Sequence, residues 1–190
     1  AYAQLRWIGL VGLQDPPRDD VIKAVKEVQG AGLRLVMVTG DQPATASSIA
    51  EQVGFQGQLE AKLGSEIEGW EERSPEEQQL LADTAVFARV SPKQKLELVK
   101  LHQQRDAVVA MTGDGVNDAP ALRKADIGVA MGQRGTAVAR EAAEMVLLDD
   151  SFASIVEAIR EGRTIFANIR AFVVYLLSCN LSEIMVVGLA

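Results

Sequence analysis

A chain of 190 residues, 48% hydrophobic but only 5% aromatic and with 16 glycines, fits one aliphatic-rich α/β domain with tight turns and a substantial core. Its 26 acidic against 19 basic residues give a net charge of −7, and without a basic stripe this excludes nucleic acid as the main partner. The single cysteine, Cys179, excludes an internal disulfide and a cysteine-built zinc cluster.

Trp7 to Leu13 is apolar and strand-like, carries Arg6 just before it, and does not read as a cleavable signal. Asp15-Pro16-Pro17 ends it and marks a helix start. Val21, Val25 and Val28 then fall at helical spacing, and Gly30 and Gly32 close that helix. Leu33 to Val38 is a short apolar run, predicted as a buried parallel strand. It ends in Thr39-Gly40-Asp41, and a helix is predicted from Pro43 to Val53. Gln56 to Asp83, rich in glutamate, is expected to form surface helices and loops carried on the sheet. Ala85 to Val90 returns to the sheet, and Ser91-Pro92 opens a helix to about His102. A strand at Ala107 to Met111, a helix through Leu122, a strand at Ile127 to Met131, a helix at Thr136 to Ala142 and a strand at Met145 to Leu148 complete the alternation.

Ser151 to Arg170 is amphipathic, with Ile155, Val156, Ile159 and Ile165 on one side and Glu157, Arg160, Glu161 and Arg163 on the other. It runs on into Ala171 to Ala190, whose one formal charge is Glu183. That stretch also fits a buried helix of a soluble domain, but its length and its basic flank of Arg160, Arg163 and Arg170 point to a transmembrane helix. A chain stopping inside such a helix reads as a piece of a larger protein.

Met111-Thr-Gly-Asp114-Gly-Val-Asn117-Asp118-Ala-Pro120 gathers two carboxylates and an amide in one turn after an apolar run. Carboxyl ends of strands are where open α/β sheets bind ligands. Such hard oxygen donors suit Mg²⁺ that also touches a phosphate, while Gly113 and Gly115 allow close approach or positive φ. Thr39-Gly40-Asp41 and Arg89 with Lys95 also follow strands, so the three clusters can share one edge. Thr39 offers a hydroxyl, Gly40 an open N–H, and Lys95 a compact positive charge for a phosphoryl-transfer transition state. Taken singly, each also reads as an ordinary turn or a solvated charge. His102 reads as a surface residue, Cys179 as a small packing residue, and Trp7 and Trp70 as packing residues.

The chain resembles the C-terminal half of the phosphorylation domain of P-type cation-transporting ATPases, joined to the start of their fifth transmembrane helix. The motifs carrying it are Gly12-Leu-Gln-Asp15-Pro16-Pro17-Arg18, Met37-Val-Thr39-Gly40-Asp41, Ala88-Arg89-Val-Ser-Pro92-Lys-Gln-Lys95 and Thr112-Gly113-Asp114-Gly115-Val-Asn117-Asp118-Ala-Pro120. Ala130-Met-Gly132, Glu144-Met-Val-Leu-Leu-Asp149-Asp150 and Glu161-Gly162-Arg163 continue it.

The resemblance implies a haloacid-dehalogenase-like Rossmannoid parallel sheet with flanking helices, followed by a stalk helix running into a transmembrane helix. It divides the chain into a partial phosphorylation domain (1–150), a stalk (151–170) and a truncated membrane helix (171–190), with residues 1–170 cytoplasmic. Asp114 would be the Mg²⁺ ligand, with Asp118 supporting it and Lys95 acting with both in catalysis. Thr39, Gly40, Asp41, Arg89, Lys95 and Asn117 would contact ATP or the transferred phosphate, and Asp15 would lie near nucleotide and hinge. Asn180 and Glu183, three apart on one helix face, resemble a cation site, with Ca²⁺ favoured over Na⁺ or K⁺. A glutamate that only bonds a neighbouring helix is the plainer reading of Glu183. The implied cofactors are Mg²⁺ and ATP. The implied partners are the transported cation, the lipid bilayer and the remaining nucleotide-binding, actuator and membrane domains.

The family's nucleophile lies in Asp-Lys-Thr-Gly-Thr, a string that occurs nowhere in these 190 residues. The chain alone is therefore expected to form no phosphoenzyme. Two other readings remain: a soluble haloacid-dehalogenase-like Mg²⁺-dependent phosphatase, which would also need its own nucleophilic aspartate, and a non-catalytic regulatory fragment.

Overall fold

In the computed structural model, which describes residues 6–9, 11–12 and 16–189, short parallel strands alternate with helices. The strands are β1 (Met37–Val38), β2 (Lys62–Leu63), β3 (Val86–Ala88), β4 (Ala110–Gly113), β5 (Ile127–Met131) and β6 (Met145–Leu147). The helices are α1 (Asp19–Gly30), α2 (Pro43–Gln52), α3 (Pro75–Ala82), α4 (Pro92–Gln103), α5 (Ala119–Lys124), α6 (Ala137–Ala142) and α7 (Ala153–Leu189). Among the described residues the strands pair as two sheets, ordered β1-β3-β2 and β4-β5-β6, with every pair parallel.

Each sheet is buried at its middle strand. Val86, Phe87 and Ala88 of β3 are fully enclosed. Phe87 joins Ile67, Trp70, Leu81, Leu98 and Leu101 in one cluster, and Val86 and Ala88 join Ala46 and Ala50 of α2 in another. In the second sheet Ala130 packs with Ala119 and Leu122 of α5 and Ala139 and Ala142 of α6. Helix α4 spans the two halves, its Val99 packing against Ala121 of α5 and Ala125 while its Leu98 and Leu101 face the first core. Local chemistry sets where α4 begins: Ser91 accepts the Gln94 N–H, the Gln94 side chain accepts the Ser91 N–H at 2.8 Å, and Pro92 opens the first turn. Ser74 and Glu77 start α3 in the same way.

Several expectations are corrected. Leu33 to Val38 forms a strand only at Met37–Val38, and it is half-buried rather than buried. The run from Ala107 pairs only from Ala110, and Val108 is 81% exposed. Both are edge strands: β1 pairs only with β3 and β4 only with β5 among the described residues, so sequence suited to an interior strand is left open on one side. The polar stretch from Gln56 to Asp83 adds β2 to the sheet and sends Trp70, 1% exposed, into the core with its indole N–H donating to Glu97 at 3.1 Å. The described part of Trp7 to Leu13 forms no strand, and Trp7 is exposed rather than packed; Leu10 and Leu13 to Asp15 lie outside the described residues.

Helix α7 is continuous over 37 residues, about 55 Å at the α-helical rise. Its first turns lean on α1, where Arg160 pairs with Glu27 at 3.4 Å and Arg163 donates to the Ala31 carbonyl at 2.7 Å. These arginines therefore share the α1 side with Val156 and Ile159 instead of opposing them, and Ile165 is exposed. From Glu161 to Leu189 the helix touches little, and Cys179 is exposed rather than packed. The helix, with mean hydropathy 1.9 in its most apolar window, is long and apolar enough to cross a membrane.

Candidate functional site

The Asp114 turn is built around Asp118. A 3-10 turn at Val116–Asp118 brings that side chain back under the end of β4. Asp118 is only 5% exposed, a burial a carboxylate tolerates only when its oxygens are engaged. Its Oδ1 accepts from Lys95 Nζ at 2.6 Å, and its Oδ2 accepts from the N–H groups of Gly115 at 3.1 Å and Asp114 at 3.3 Å.

Gly113 is required by this packing rather than by its dihedrals. A Cβ there would lie 2.6 Å from the Cβ of Asp118. Neither Gly113 nor Gly115 takes the positive φ considered from the sequence; Gly115 is extended at −95°.

Asp118 is thus a buried anchor with both oxygens engaged. Asp114 is the opposite case. Its side chain is exposed at the carboxyl end of β4, and among the described residues no hydrogen bond or ion pair engages its carboxylate. Its carbonyl accepts the Thr136 N–H at 2.8 Å, which fixes the turn against the start of α6. Among the described residues no three His, Cys, Asp or Glu side chains gather as a metal cluster. One free carboxylate still fits Mg²⁺, which is commonly held by one or two carboxylates together with substrate phosphates and water.

The second group of predicted residues gathers at the carboxyl ends of β1 and β3. Thr39 Oγ1 donates to the Asp41 carboxylate at 2.9 Å and accepts the Asp41 N–H at 3.1 Å, a closed local turn. The Thr39 carbonyl accepts the Val90 N–H and the Asp41 carbonyl accepts the Arg89 N–H, each at 3.1 Å. Arg89 itself sits in the left-handed region with φ 53°, which is uncommon for a residue with a Cβ and turns the chain sharply from β3 towards α4. Gly40 has open space where a Cβ would lie, and Asp41 and Arg89 are exposed.

The two groups are joined through α4. Its N-terminus is tied to the Thr39 turn by the Val90 and Arg89 bonds, and Lys95, one turn further along, reaches Asp118. Lys95 has three donors and spends one on Asp118. Asn117 is exposed in the turn beside them. Asn180 and Glu183 lie far along α7, three apart and both exposed. Asp15 lies outside the described residues.

Sequence reasoning missed Thr136 and Asp150. Asp150 accepts the N–H groups of Gln133 and Arg134 at 2.9 and 2.8 Å, and these bonds hold its carboxyl below the ordinary carboxylate range. Two aspartates just ahead of a serine-rich helix start were the available signal. His102 is also misjudged: it tucks under the end of α4 with its Nε2 buried and without a partner, rather than lying on the surface.

Comparison with known proteins follows the same lines. The model of the haloacid dehalogenase-like hydrolases matches residues 1–126. The chain is 50% identical over 189 residues to a calcium-transporting ATPase of Bacillus subtilis (strain 168), covering 98% of this chain and 21% of that protein. It is 49% identical over 189 residues to the endoplasmic reticulum-type calcium-transporting ATPase 3 of Arabidopsis thaliana, covering 98% of this chain and 19% of that one. Among solved structures, a zinc-transporting PIB-type ATPase in its E2·Pi state superimposes with a TM-score of 0.62 at 33% identity, over 83% of this chain and 21% of the other. The chain spans about a fifth of the length of the relatives it matches. It belongs to the haloacid dehalogenase-like hydrolase family, and its resemblance to P-type ATPases extends along nearly its whole length.

Proposed function

We propose that this chain is part of an ATP-driven calcium pump: residues 1–150 in its phosphorylation domain, 151–170 its stalk, and 171–190 the start of a membrane helix, with 1–170 on the cytoplasmic side. The observation that carries this reading is the division of labour between two neighbouring aspartates. Asp118 is buried with both oxygens engaged, and through Lys95 and two backbone N–H groups it fixes the turn from which the unengaged Asp114 carboxylate projects.

Mg²⁺, when bound, would screen phosphate charge and orient attack. The chain's own residues do the remainder. Asp114 offers a carboxylate oxygen to the ion. Lys95 keeps two N–H donors for the transferred phosphoryl group, and its ammonium is held in place by Asp118. Gly40 leaves open space at the end of β1 beside Thr39, whose hydroxyl would turn from Asp41 to reach a phosphate, and Arg89, Asp41 and Asn117 stand exposed where ATP or phosphate would be met. The acceptor of the phosphoryl group is an aspartate supplied by the rest of the protein. Strands β1 and β4 each keep an open edge, and a further strand pairing with both would deliver that aspartate between the two loops. Alone, the chain forms no acyl phosphate.

Half-identity to calcium-transporting relatives supports Ca²⁺ as the cargo, with Asn180 and Glu183 supplying an amide and a carboxylate oxygen to it. Likeness to a zinc transporter at 33% identity supports the mechanism and not the ion. The test is cation-dependent ATP hydrolysis by the full-length protein across Ca²⁺, Na⁺, K⁺ and H⁺. Stimulation by Ca²⁺ alone is expected; hydrolysis indifferent to every cation would contradict the assignment.

A further inference from the structure

The turn that precedes α7 is bonded to the loop that follows β5, and that loop is bonded to Asp114. Both oxygens of Asp150 are occupied: Oδ1 by the Gln133 N–H at 2.9 Å, Oδ2 by the Arg134 N–H at 2.8 Å. The loop bonds back, with Gln133 Nε2 donating to the Leu148 carbonyl at 2.9 Å and the Gly132 N–H to the Leu147 carbonyl at 2.8 Å. Arg140 holds the loop from within, donating to the carbonyls of Gly132 and Gly135. At its far end the Thr136 N–H donates to the Asp114 carbonyl, while Thr136 Oγ1 accepts the Ala139 N–H at 3.2 Å and starts α6. A run of hydrogen bonds thus leads from the Asp114 backbone to the residue where the chain turns into α7.

We propose that Asp150 is a positioning residue that couples the Asp114 loop to α7, so that a displacement of Asp114 on binding phosphate is passed to the helix carrying Asn180 and Glu183. The proposal rests on the pump reading. An ionised carboxylate accepting two successive N–H groups makes short, strong bonds and cannot rotate without losing one. Asp150 also occupies the left-handed region at φ 52°, so its backbone bends where the loop and the helix meet. Asp149 does a different job one residue earlier: it accepts the Ser151 N–H at 3.1 Å and the Ser154 hydroxyl at 2.6 Å, bracing the start of the helix without a hydrogen bond to the loop among the described residues.

That difference supplies the control. An amide at position 150 tolerates the left-handed conformation but has one acceptor where two are needed, and its NH₂ faces an N–H. Cation uptake per ATP hydrolysed is measured in vesicles with the full-length protein, comparing wild type, Asp150→Asn and Asp149→Asn. With Asp150→Asn, hydrolysis stays within about twofold while uptake per ATP falls by about fivefold or more, the scale of a typical coupling free energy. Asp149→Asn keeps the wild-type ratio. Asp150→Gly, which accepts the left-handed φ without strain, lowers the ratio in the same way and stands in should the Asn variant not fold. An unchanged ratio at position 150, or an equal fall with Asp149→Asn, overturns the coupling role and leaves the pump reading intact. A wild-type protein that hydrolyses ATP in response to no cation overturns that reading and the proposal with it.

Discussion

Lys95 Nζ lies 2.6 Å from Asp118 Oδ1, and this contact joins the two halves of the molecule at the candidate site. Lys95 belongs to the helix that follows β3, whereas Asp118 belongs to the turn that follows β4. The pair is mostly shielded, with 22% and 8% of the two side chains exposed. Removing one member leaves the other in a poorly solvated place. Asp118→Ala strands both Lys95 and the N–H groups of Asp114 and Gly115, and should destabilise the chain by about 3 kcal/mol, the lower end for breaking a buried pair. Lys95→Met should cost less, because Asp118 keeps its two backbone donors. Denaturant unfolding in detergent measures both, and equal midpoints for the two variants would contradict this ordering.

Asp114→Asn should behave differently. No contact of that carboxylate supports the fold among the described residues, so unfolding midpoints should stay near wild type. Phosphoenzyme formation by the full-length protein should fall by about a hundredfold or more, in keeping with loss of a group that stabilises transition-state charge. Wild-type activity at ordinary Mg²⁺ would remove Asp114 from the metal site.

Gly113→Ala tests the packing under the turn. The added methyl meets Asp118 Cβ at 2.6 Å and Cγ at 2.9 Å, and that side chain is pinned by Lys95 and two backbone N–H groups. An overpacking cost of about 1–3 kcal/mol is expected. Because Asp118 would be pushed off Lys95, activity of the full-length protein should fall with stability. Gly40→Ala, where a Cβ meets open space, should leave stability nearly unchanged.

Stability should also depend on pH through His102. Burial, and then the charges of Arg34 and Arg105, lower its pKa from 6.5 against the smaller opposing pull of Asp83. The unfolded chain then binds the proton more readily than the folded one. The contribution is complete above pH 6.5 and is lost as pH falls from there towards the lowered folded value. His102→Gln should flatten this segment of the curve. Asp83, Glu97, Asp126 and Asp150 have lowered pKa values too, through hydrogen bonds from Gln79, Lys100, the Val109 backbone and the Gln133 backbone respectively. Their contributions hold above the ordinary carboxylate range and are lost at lower pH, so a separate, more acidic decline should follow.

Glu183→Gln in the full-length protein should weaken cation-dependent phosphorylation by about tenfold, since carboxylate charge sets much of a hard-cation site's affinity. Helix content should not change, because Glu183 is exposed on α7. An unaltered cation dependence would take it out of the site.

Much of this was legible in the sequence because it is local. The Ser91-Pro92 start, the strand at Ile127–Met131 and the long apolar helix follow from spacing and capping chemistry alone. The Asp114 turn was legible as a polar cluster at a strand end. That Asp118 is its buried anchor was not, because its partner Lys95 is 23 residues away and meets it only through the packing of α4 on α5. The edge character of β1 and β4 was illegible for a related reason. Apolar runs such as Leu33–Val38 record the environment of a strand with two neighbours, and here each has one. His102 was misread because a polar helix end looks solvated until α3 and the segment carrying Arg34 are laid against it.

The most direct measurement is acid-stable labelling of the full-length protein with γ-labelled ATP, in wild type and in Asp114→Asn. A hydroxylamine-sensitive aspartyl phosphate should form in wild type, require Ca²⁺, and be absent from the variant and from the 190-residue chain alone. Labelling that ignores Ca²⁺ or survives loss of the Asp114 carboxylate would contradict the account.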